Sequence, residues 1–414
     1  MKKHLLLIFL LVVGCTQAQQ SFSNDRSQAL FMVSQGDLLM RNGEPEKAIF
    51  KYTDAIVSDP NCSEAYMKRA SANAKILRWE QSQKDYNVAV SLNPSSVIFY
   101  ESRHKLYLLH HEYEKAIDDI SIAVKLNPYE IHLKQEYLSA LILNGDINRA
   151  EQNCDSLIHA DSSDVMLWLY RSYICFVRED YASALNYTSK ALLLDPLSSI
   201  GYDFLGNLYN REGKYLDAER AYTKAIALNP VFSIAYFNRS MVLQKQGRLA
   251  EAKVDLDSAL AVDRSYASAY FNRAILHKMT NDYKAAESDL TKAIAIKPDF
   301  ADAFLNRGFV NKFLGDYATA IEDIKKAVLL NPGDRNVLLN LGNMYLLFGD
   351  YLEAIEVYSQ LIANHTEFAP AYLNRGFAHI LFNNRVQGCE DFRNAQTYGS
   401  EKATEQIRYF CEKF

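Results

Sequence analysis

The hydrophobic positions of this chain repeat with a fixed period. Seven prolines mark the period, because the residue numbers of neighbouring ones differ by 34 or by twice 34: Pro60, Pro94, Pro128, Pro196, Pro230, Pro298 and Pro332. When proline is numbered as position 32, eleven repeats of this length run in register from residue 29 to residue 402. A period of this length indicates one repeat array and argues against several separate globular domains.

Each repeat contains two amphipathic helical patterns. Position 8 is small in most repeats, and positions 20 and 27 are each Ala in nine of eleven, so two helix backbones can approach closely. Position 15 is Gly or Asn in eight repeats, which favours a left-handed helix end. Proline at position 32 then disfavours helix in the preceding residue. The pattern therefore predicts an antiparallel helix pair in every repeat.

The recurring signature is an aromatic residue at position 4, a small one at 8, Ala at 20 and 27, and Pro at 32. It resembles the tetratricopeptide repeat (TPR) family over residues 29–402. The resemblance implies an all-α, right-handed α-solenoid of about eleven helix-turn-helix units. First helices would line a concave face and second helices a convex one. A last amphipathic segment, residues 400–414, is expected to cap the array.

Arg occupies position 7 in seven repeats, and Asp occupies position 23 in six of those same repeats. Because Arg and carboxylate groups form bidentate contacts, we expect structural ion pairs between the two helices of each repeat. The expected pairs are Arg69 with Asp85, Arg103 with Asp119, Arg239 with Asp255, Arg273 with Asp289, Arg307 with Asp323 and Arg375 with Asp391. Arg171, opposite Tyr187, is the exception. The alternative is common ancestry of the repeats without contact.

Position 6 is Asn only in the last five repeats: Asn238, Asn272, Asn306, Asn340 and Asn374. Asn is disfavoured in a helix interior by roughly 0.7 kcal/mol relative to Ala, so its return needs a cause. By resemblance, position 6 faces the concave surface, and the row is similar to the asparagine ladder of the O-linked N-acetylglucosamine transferase superhelix. A side-chain amide both donates and accepts, and can therefore pair with the N–H and C=O of an extended chain.

Apolar residues flank this asparagine row at positions 5 and 9, which suits a polypeptide with some apolar side chains. The expected peptide contacts are Phe237, Phe271, Leu305, Phe309, Leu339, Leu373 and Phe377. Two alternatives remain open. In one, the asparagines are inherited repeat usage; in the other, position 5 packs on a neighbouring helix.

The N-terminal residues differ from the repeats. Lys2 and Lys3 precede an apolar run too short to span a bilayer, which predicts a signal peptide over residues 1–18 and a short linker over 19–28. In one interpretation, cleavage before Cys15 leaves a lipidated cysteine; in the other, an ordinary signal peptidase cuts after Ala18. We expect an exported protein of the bacterial cell envelope, either a periplasm-facing lipoprotein or a soluble periplasmic or secreted protein.

The C-terminal sequence resembles the ending of many exported bacterial TPR proteins and contains Cys389 and Cys411. In an oxidising envelope we expect these two residues to form a disulfide. Two buried thiols are the alternative.

Several kinds of chemistry are not expected. The net charge is −5, and no run of like charges suggests a nucleic-acid partner. Phosphate loops, nucleophile elbows and His-Glu-x-x-His patterns are missing, so we expect no metal and no cofactor.

The sequence thus predicts a non-enzymatic scaffold that binds a protein or peptide along the concave face and meets a membrane only through a lipid anchor. One alternative is a structural assembly factor that docks through its convex face or its ends. Another is a subunit that recruits substrate to a separate enzyme.

Overall fold

The computed structural model describes residues 25–412, and this stretch is helical throughout, with 23 helices and no strand. The predicted signal peptide 1–18 and the lipidation candidate Cys15 lie outside the described residues. The predicted linker 19–28 is helical in its described part, because the first helix already covers residues 25–41. The expectation of an all-α helical repeat solenoid is confirmed.

The helices form two units, one ending at Pro196 and one beginning at Leu197. The first unit contains α1 (25–41), α2 (Pro45–Ser58), α3 (Ser63–Lys75), α4 (Trp79–Leu92), α5 (Val97–Leu109), α6 (Tyr113–Leu126), α7 (Ile131–Leu143), α8 (Ile147–Ala160), α9 (Val165–Val177) and α10 (Tyr181–Leu194). Within this unit, consecutive helices from α2 to α10 pack on each other, so the second helix of one repeat contacts the first helix of the next.

The second unit contains α11 (Ser199–Arg211), α12 (Tyr215–Leu228), α13 (Ser233–Lys245), α14 (Leu249–Val262), α15 (Ala267–Met279), α16 (Tyr283–Ile296), α17 (Ala301–Leu314), α18 (Tyr317–Leu330), α19 (Arg335–Phe348), α20 (Tyr351–Asn364), α21 (Ala369–Leu381), α22 (Arg385–Thr397) and α23 (Glu401–Phe410). Odd-numbered helices up to α21 are first helices of repeats. The small residues predicted to sit between the paired helices are fully buried, as Ala252 and Ala259 illustrate.

The turn between the two helices of a repeat has the same backbone conformation throughout. Position 15 has a positive φ angle in all eleven repeats, including the three that lack Gly and Asn there: Leu77, His111 and Glu179. A left-handed residue with a side chain is disfavoured by roughly 1 to 2 kcal/mol. The close packing of the helix pair therefore imposes the turn even where the local sequence opposes it.

The six predicted Arg–Asp pairs are present in the structure as bidentate contacts. In each pair the Arg Nε and Nη2 atoms donate to the two carboxylate oxygens at 2.7–2.9 Å. All six aspartates are buried. Because an unpaired buried carboxylate is strongly unfavourable, these contacts hold the two helices of a repeat together.

Each of these arginines also reaches back to the preceding repeat. The third nitrogen, Nη1, donates to position 25 of that repeat, as in Arg239 to Thr223 at 3.0 Å and Arg273 to Asp257 at 2.6 Å. Arg171 has no Asp in its own repeat; it lies over Tyr187 and pairs with Glu151 and Asp155 of the preceding one. One side chain therefore ties the helix pair together and also ties two repeats together.

Three of the four repeats without this Arg use a tyrosine instead. The hydroxyls of Tyr52, Tyr222 and Tyr358, at position 24, donate to Asp37, Asn207 and Asn343, at position 9, over 2.7–2.8 Å. Each ring lies over a glycine at position 8, where an added Cβ would come within 2.8 Å of three ring atoms. The small residue at position 8 is thus required by the tyrosine.

The C-terminal helix α23 lies within the predicted capping segment 400–414, and it packs on α22. Cys389 and Cys411 form a disulfide, and Arg385 Nε donates to the carbonyl oxygen of Phe410 at 2.6 Å. The ring of Phe410 lies 6.1 Å from that of Phe392 between centroids. These contacts cover the last helix pair of the array.

We expect Asp255→Ala to lower the free energy of unfolding by about 3 kcal/mol, because Arg239 would keep only the neutral Thr223 as a partner. Asp289→Ala should cause a smaller loss, because Arg273 retains the carboxylate of Asp257. Urea unfolding followed by circular dichroism measures both variants. An equal loss of unfolding free energy in both variants would contradict the stabilising role of the position 25 residue in the preceding repeat.

Reduction of the disulfide should destabilise the C-terminal cap by about 3 kcal/mol, because the bond closes a loop with a sequence separation of 22 residues. Thermal unfolding with and without reductant measures the effect. The other three described cysteines are free, so Cys411→Ser should match the reduced protein and show no response to reductant. An unchanged melting temperature on reduction would refute this role.

Candidate functional site on the first-helix face

The five asparagines of the predicted row lie at matching places on α13, α15, α17, α19 and α21. The surface formed by these helices and α11 is named here the first-helix face. All five side chains are half-buried. Side-chain hydrogen bonds of this row link three pairs of neighbouring first helices, since Asn238 contacts Asp203, Lys278 contacts Asn306, and Asn374 contacts Asn343. The helices that carry the row are thus joined in pairs by side-chain hydrogen bonds.

The asparagines of this row differ in how much hydrogen-bonding capacity the fold uses. The Nδ2 atoms of Asn272 and Asn306 donate to backbone carbonyls one turn earlier, at 2.9 Å. Asn306 Oδ1 also accepts from Lys278 Nζ at 2.6 Å. These two side chains are anchored by their own surroundings, which partly accounts for Asn at this register.

Asn340 makes no side-chain hydrogen bond within residues 25–412. Together with Asn343 and Asn374 it lines an open cavity of about 540 Å³. Asn374 Nδ2 donates to Asn343 Oδ1 at 2.7 Å, and this oxygen also accepts from the hydroxyl of Tyr358. Three amides thus line one cavity, and among the described residues Asn340 leaves both of its side-chain hydrogen-bonding functions unused.

Of the seven predicted apolar contact residues, only Phe309 lines this cavity. Phe237 packs on Tyr266 and Phe271 packs on Phe300 as tilted ring pairs, with centroids 5.1 and 4.9 Å apart. Position 5 therefore packs internally in these two repeats, in line with the alternative stated for it.

The remaining apolar candidates are also engaged in packing. The side chains of Leu305, Leu339 and Leu373 are half-buried against the hydrophobic core. Phe377 contacts the rings of Phe392 and Phe410 under the C-terminal helix. The apolar surface on offer is consequently smaller than the sequence predicts, and it is concentrated around Phe309.

Five cavity residues were missed at the sequence level: Lys312, Asn343, Met344, Leu346 and Leu347. Asn343 had a detectable signal, because it interrupts an otherwise apolar position 9 in repeats seven to eleven. Leu347 is 52% exposed and forms part of the rim. Lys312 and Leu347 lie near the ends of their helices, at positions that carry no repeat signature.

Asp203 is a further polar residue of this face, on α11. Its side chain is 7% exposed, and its carboxylate accepts hydrogen bonds from Asn238 Nδ2 at 3.0 Å and Asn207 Nδ2 at 3.3 Å. Burial raises the pKa of Asp203 to about 6, and the two amides oppose this rise.

On α15, burial lowers the pKa of Lys278, which has no carboxylate partner among the described residues.

Residues 25–412 contain no group of three or more His, Cys, Asp or Glu side chains arranged to hold a metal ion. Over the same residues, no helix combines the length and apolarity needed to cross a membrane.

The tetratricopeptide repeat model matches residues 33–97, 205–253, 241–301 and 313–370, which together exceed half of the chain. The chain therefore belongs to the tetratricopeptide repeat family. Repeats of this family form protein–protein interaction scaffolds that bind peptide or protein partners, and its members are generally non-catalytic.

Sequence and structure comparisons agree with this assignment. Small glutamine-rich tetratricopeptide repeat-containing protein 2 of Saccharomyces cerevisiae is 36% identical over 70 residues, which are 17% of this chain and 20% of the yeast protein. The chain thus matches about a fifth of that relative's length. The APC/C hetero-tetramer Cut9–Hcn1 has a TM-score of 0.52 at 17% identity, covering 84% of this chain and 76% of the other, and shows the same fold.

Another solved structure is YrrB, described as a TPR protein with an unusual peptide-binding site. It is 25% identical with a TM-score of 0.42, and the match covers 46% of this chain and 98% of YrrB.

The raised pKa of Asp203 predicts a pH-dependent stability. Between about pH 4 and pH 6 the folded state keeps a proton that the unfolded state has released, so stability falls as pH rises through this window. We expect Asp203→Asn to be more stable than the parent at about pH 8 by roughly 2 to 3 kcal/mol, with the difference shrinking towards pH 4.

Urea unfolding at the two pH values measures this difference. Asp217→Asn is the matched control, because that carboxylate lies on the second helix of the same repeat and is 47% exposed. A loss of stability in Asp203→Asn at about pH 8 would contradict the interpretation.

Proposed function

We propose that the chain is a non-enzymatic scaffold that holds an extended polypeptide along the first-helix face of its second unit. The observation that carries the proposal is Asn340, a half-buried amide that has no side-chain hydrogen-bond partner within residues 25–412 and lines a cavity together with two further amides. Such a group can donate to and accept from the backbone of a bound chain.

The composition of the cavity supports an extended ligand with an apolar side chain. Phe309 and Leu347 contribute apolar surface, while the asparagines contribute groups suited to a peptide backbone. Since main-chain pairing does not depend on the ligand's side chains, the amides would provide affinity and the apolar surface would provide selectivity.

Within the asparagine row, we propose that the main contact with the polypeptide is made near its end, at Asn340. Asn272 and Asn306 already donate to their own helices, and the oxygen of Asn306 also accepts from Lys278, so both have less capacity left for a ligand than Asn340. Asn340 has both functions available, and its repeat lacks the position 7 arginine, so this Asn does not simply accompany Arg. We therefore expect the largest effect of substitution at Asn340.

We also propose that the chain works outside the cytoplasm. The N-terminal pattern of residues 1–18 supports export, and the Cys389–Cys411 disulfide is a bond that persists in oxidising compartments. A lipid anchor at Cys15 remains one of the two cleavage interpretations.

Site-specific photo-crosslinking in cells tests the proposed face. A photoreactive amino acid at Asn340 should yield crosslinked polypeptide, and the same residue at the exposed Glu356 on the second helix α20 should not. Crosslinks confined to Glu356 would instead favour an assembly factor that docks through the second helices.

Peptides recovered from these crosslinks provide the quantitative test. Asn340→Ala should weaken their binding about tenfold, since roughly one or two hydrogen bonds to the backbone are lost. Asn364→Ala, at an exposed position of the second helix α20 of the same repeat, is the matched control and should bind as the parent does. Fluorescence anisotropy gives both affinities, and equal affinities would refute the ladder.

A further inference from the structure

Seven aspartates are buried among residues 25–412: Asp85, Asp119, Asp203, Asp255, Asp289, Asp323 and Asp391. Six of them accept a bidentate contact from an arginine of their own repeat. Asp203 alone in this set has no cationic partner. Among the described residues, an arginine therefore neutralises six of the seven buried aspartates, and no cation neutralises Asp203.

The two partners of Asp203 are neutral amides that reach different oxygens. Asn238 Nδ2 donates to Oδ1, and Asn207 Nδ2 donates to Oδ2. Asn207 is held in turn by the hydroxyl of Tyr222, which donates to its Oδ1 at 2.8 Å. These dipoles orient and partly stabilise the carboxylate, but they leave its charge uncancelled.

The ionisable groups that interact with Asp203 add no positive charge. Burial raises the pKa of Tyr222 and of Tyr266, and the negative charge of Asp203 raises both further. The nearby helix α13 carries Lys245, but its ammonium donates to Asn210 Oδ1 at 3.0 Å. The described residues thus place amides and phenols around the carboxylate and direct the available lysine elsewhere.

The position of Asp203 relates it to the proposed ligand. It occupies position 5 of repeat six, where the next five repeats have Phe or Leu. Its partner Asn238 is the first member of the asparagine row. The carboxylate, which is 7% exposed, therefore lies beside one end of the row along which a polypeptide would lie.

We infer that Asp203, Asn207 and Asn238 form a subsite for one basic side chain, Lys or Arg, of the polypeptide bound on the first-helix face. The inference rests on the proposed function. The ligand's ammonium or guanidinium would provide the cation that each of the other buried aspartates obtains from the chain itself. A desolvated charge pair of this kind discriminates strongly against ligands that lack the cation.

A library of random 12-residue peptides with acetylated N-termini, which removes the terminal ammonium, tests the subsite on the full chain. The parent should enrich peptides with Lys or Arg at one fixed distance from apolar residues. Asp203→Asn should still enrich apolar peptides but lose the basic residue. Asp217→Asn, an equal charge change on the second helix of the same repeat, should select as the parent does.

One enriched peptide then gives a double-mutant cycle. Replacing its basic residue by Gln should weaken binding to the parent about tenfold or more and leave binding to Asp203→Asn nearly unchanged. Circular dichroism of Asp203→Asn confirms that the variant is folded. The same basic preference in the parent and in Asp203→Asn would overturn the subsite.

The two proposals fail in different ways. If peptide binding is weakened by Asn340→Ala but its basic preference is unaffected by Asp203→Asn, the subsite is overturned and the proposed function stands. Peptides that are insensitive to Asn340→Ala, or no enriched peptide at all, would overturn both.

Discussion

The array depends on the contacts of the arginine at position 7, which binds the aspartate of its own repeat and a residue of the preceding repeat. Two of its nitrogens hold the buried aspartate of its own repeat, and the third reaches the preceding repeat. Because the carboxylate is desolvated, its pairing is sensitive to displacement of either helix. The spacing of the helices within a repeat and the stacking of neighbouring repeats are thereby set by one side chain.

Repeats without this arginine show how the candidate site relates to the scaffold. In repeats six and ten a buried tyrosine takes over and donates to an amide at position 9, which is Asn207 or Asn343. The same two amides contact Asp203 and Asn374 on the first-helix face. The residue that holds the helix pair therefore also shapes the surface offered to a ligand, so the two roles cannot be separated by simple truncation.

Stability and binding make opposite demands on polar groups in this chain. Buried polar atoms favour the fold when they are paired, as in the six Arg–Asp contacts. A binding face needs groups that are left open. Within the described part of the chain these are Asn340, whose side chain has no hydrogen-bond partner, and Asp203, which has no cationic partner. The remaining asparagines lie between these extremes, since Asn272 and Asn306 donate their amide hydrogens to their own helices.

The sequence by itself determined the repeat length, the helix pairs and the six Arg–Asp pairs, because these rest on local periodicity and on partners at a constant spacing. It did not reveal that each arginine has a second partner, since position 25 of the preceding repeat varies between Thr, Asn, Asp and Ser. Both partners lie 16 residues from the arginine, one before and one after it, so spacing alone could not distinguish them.

Only the tertiary structure decided which members of the asparagine row are open. All five have the same position in the sequence pattern, yet their hydrogen bonds depend on what the adjacent helix presents: Asp203 beside Asn238, Lys278 beside Asn306 and Asn343 beside Asn374. Likewise, Phe237 and Phe271 were expected to face a ligand and instead pack on aromatic residues that precede the next repeat. A repeat pattern determines the position of a residue on its helix. The partners of its side chain come from the adjacent helices, whose residues differ from one repeat to the next.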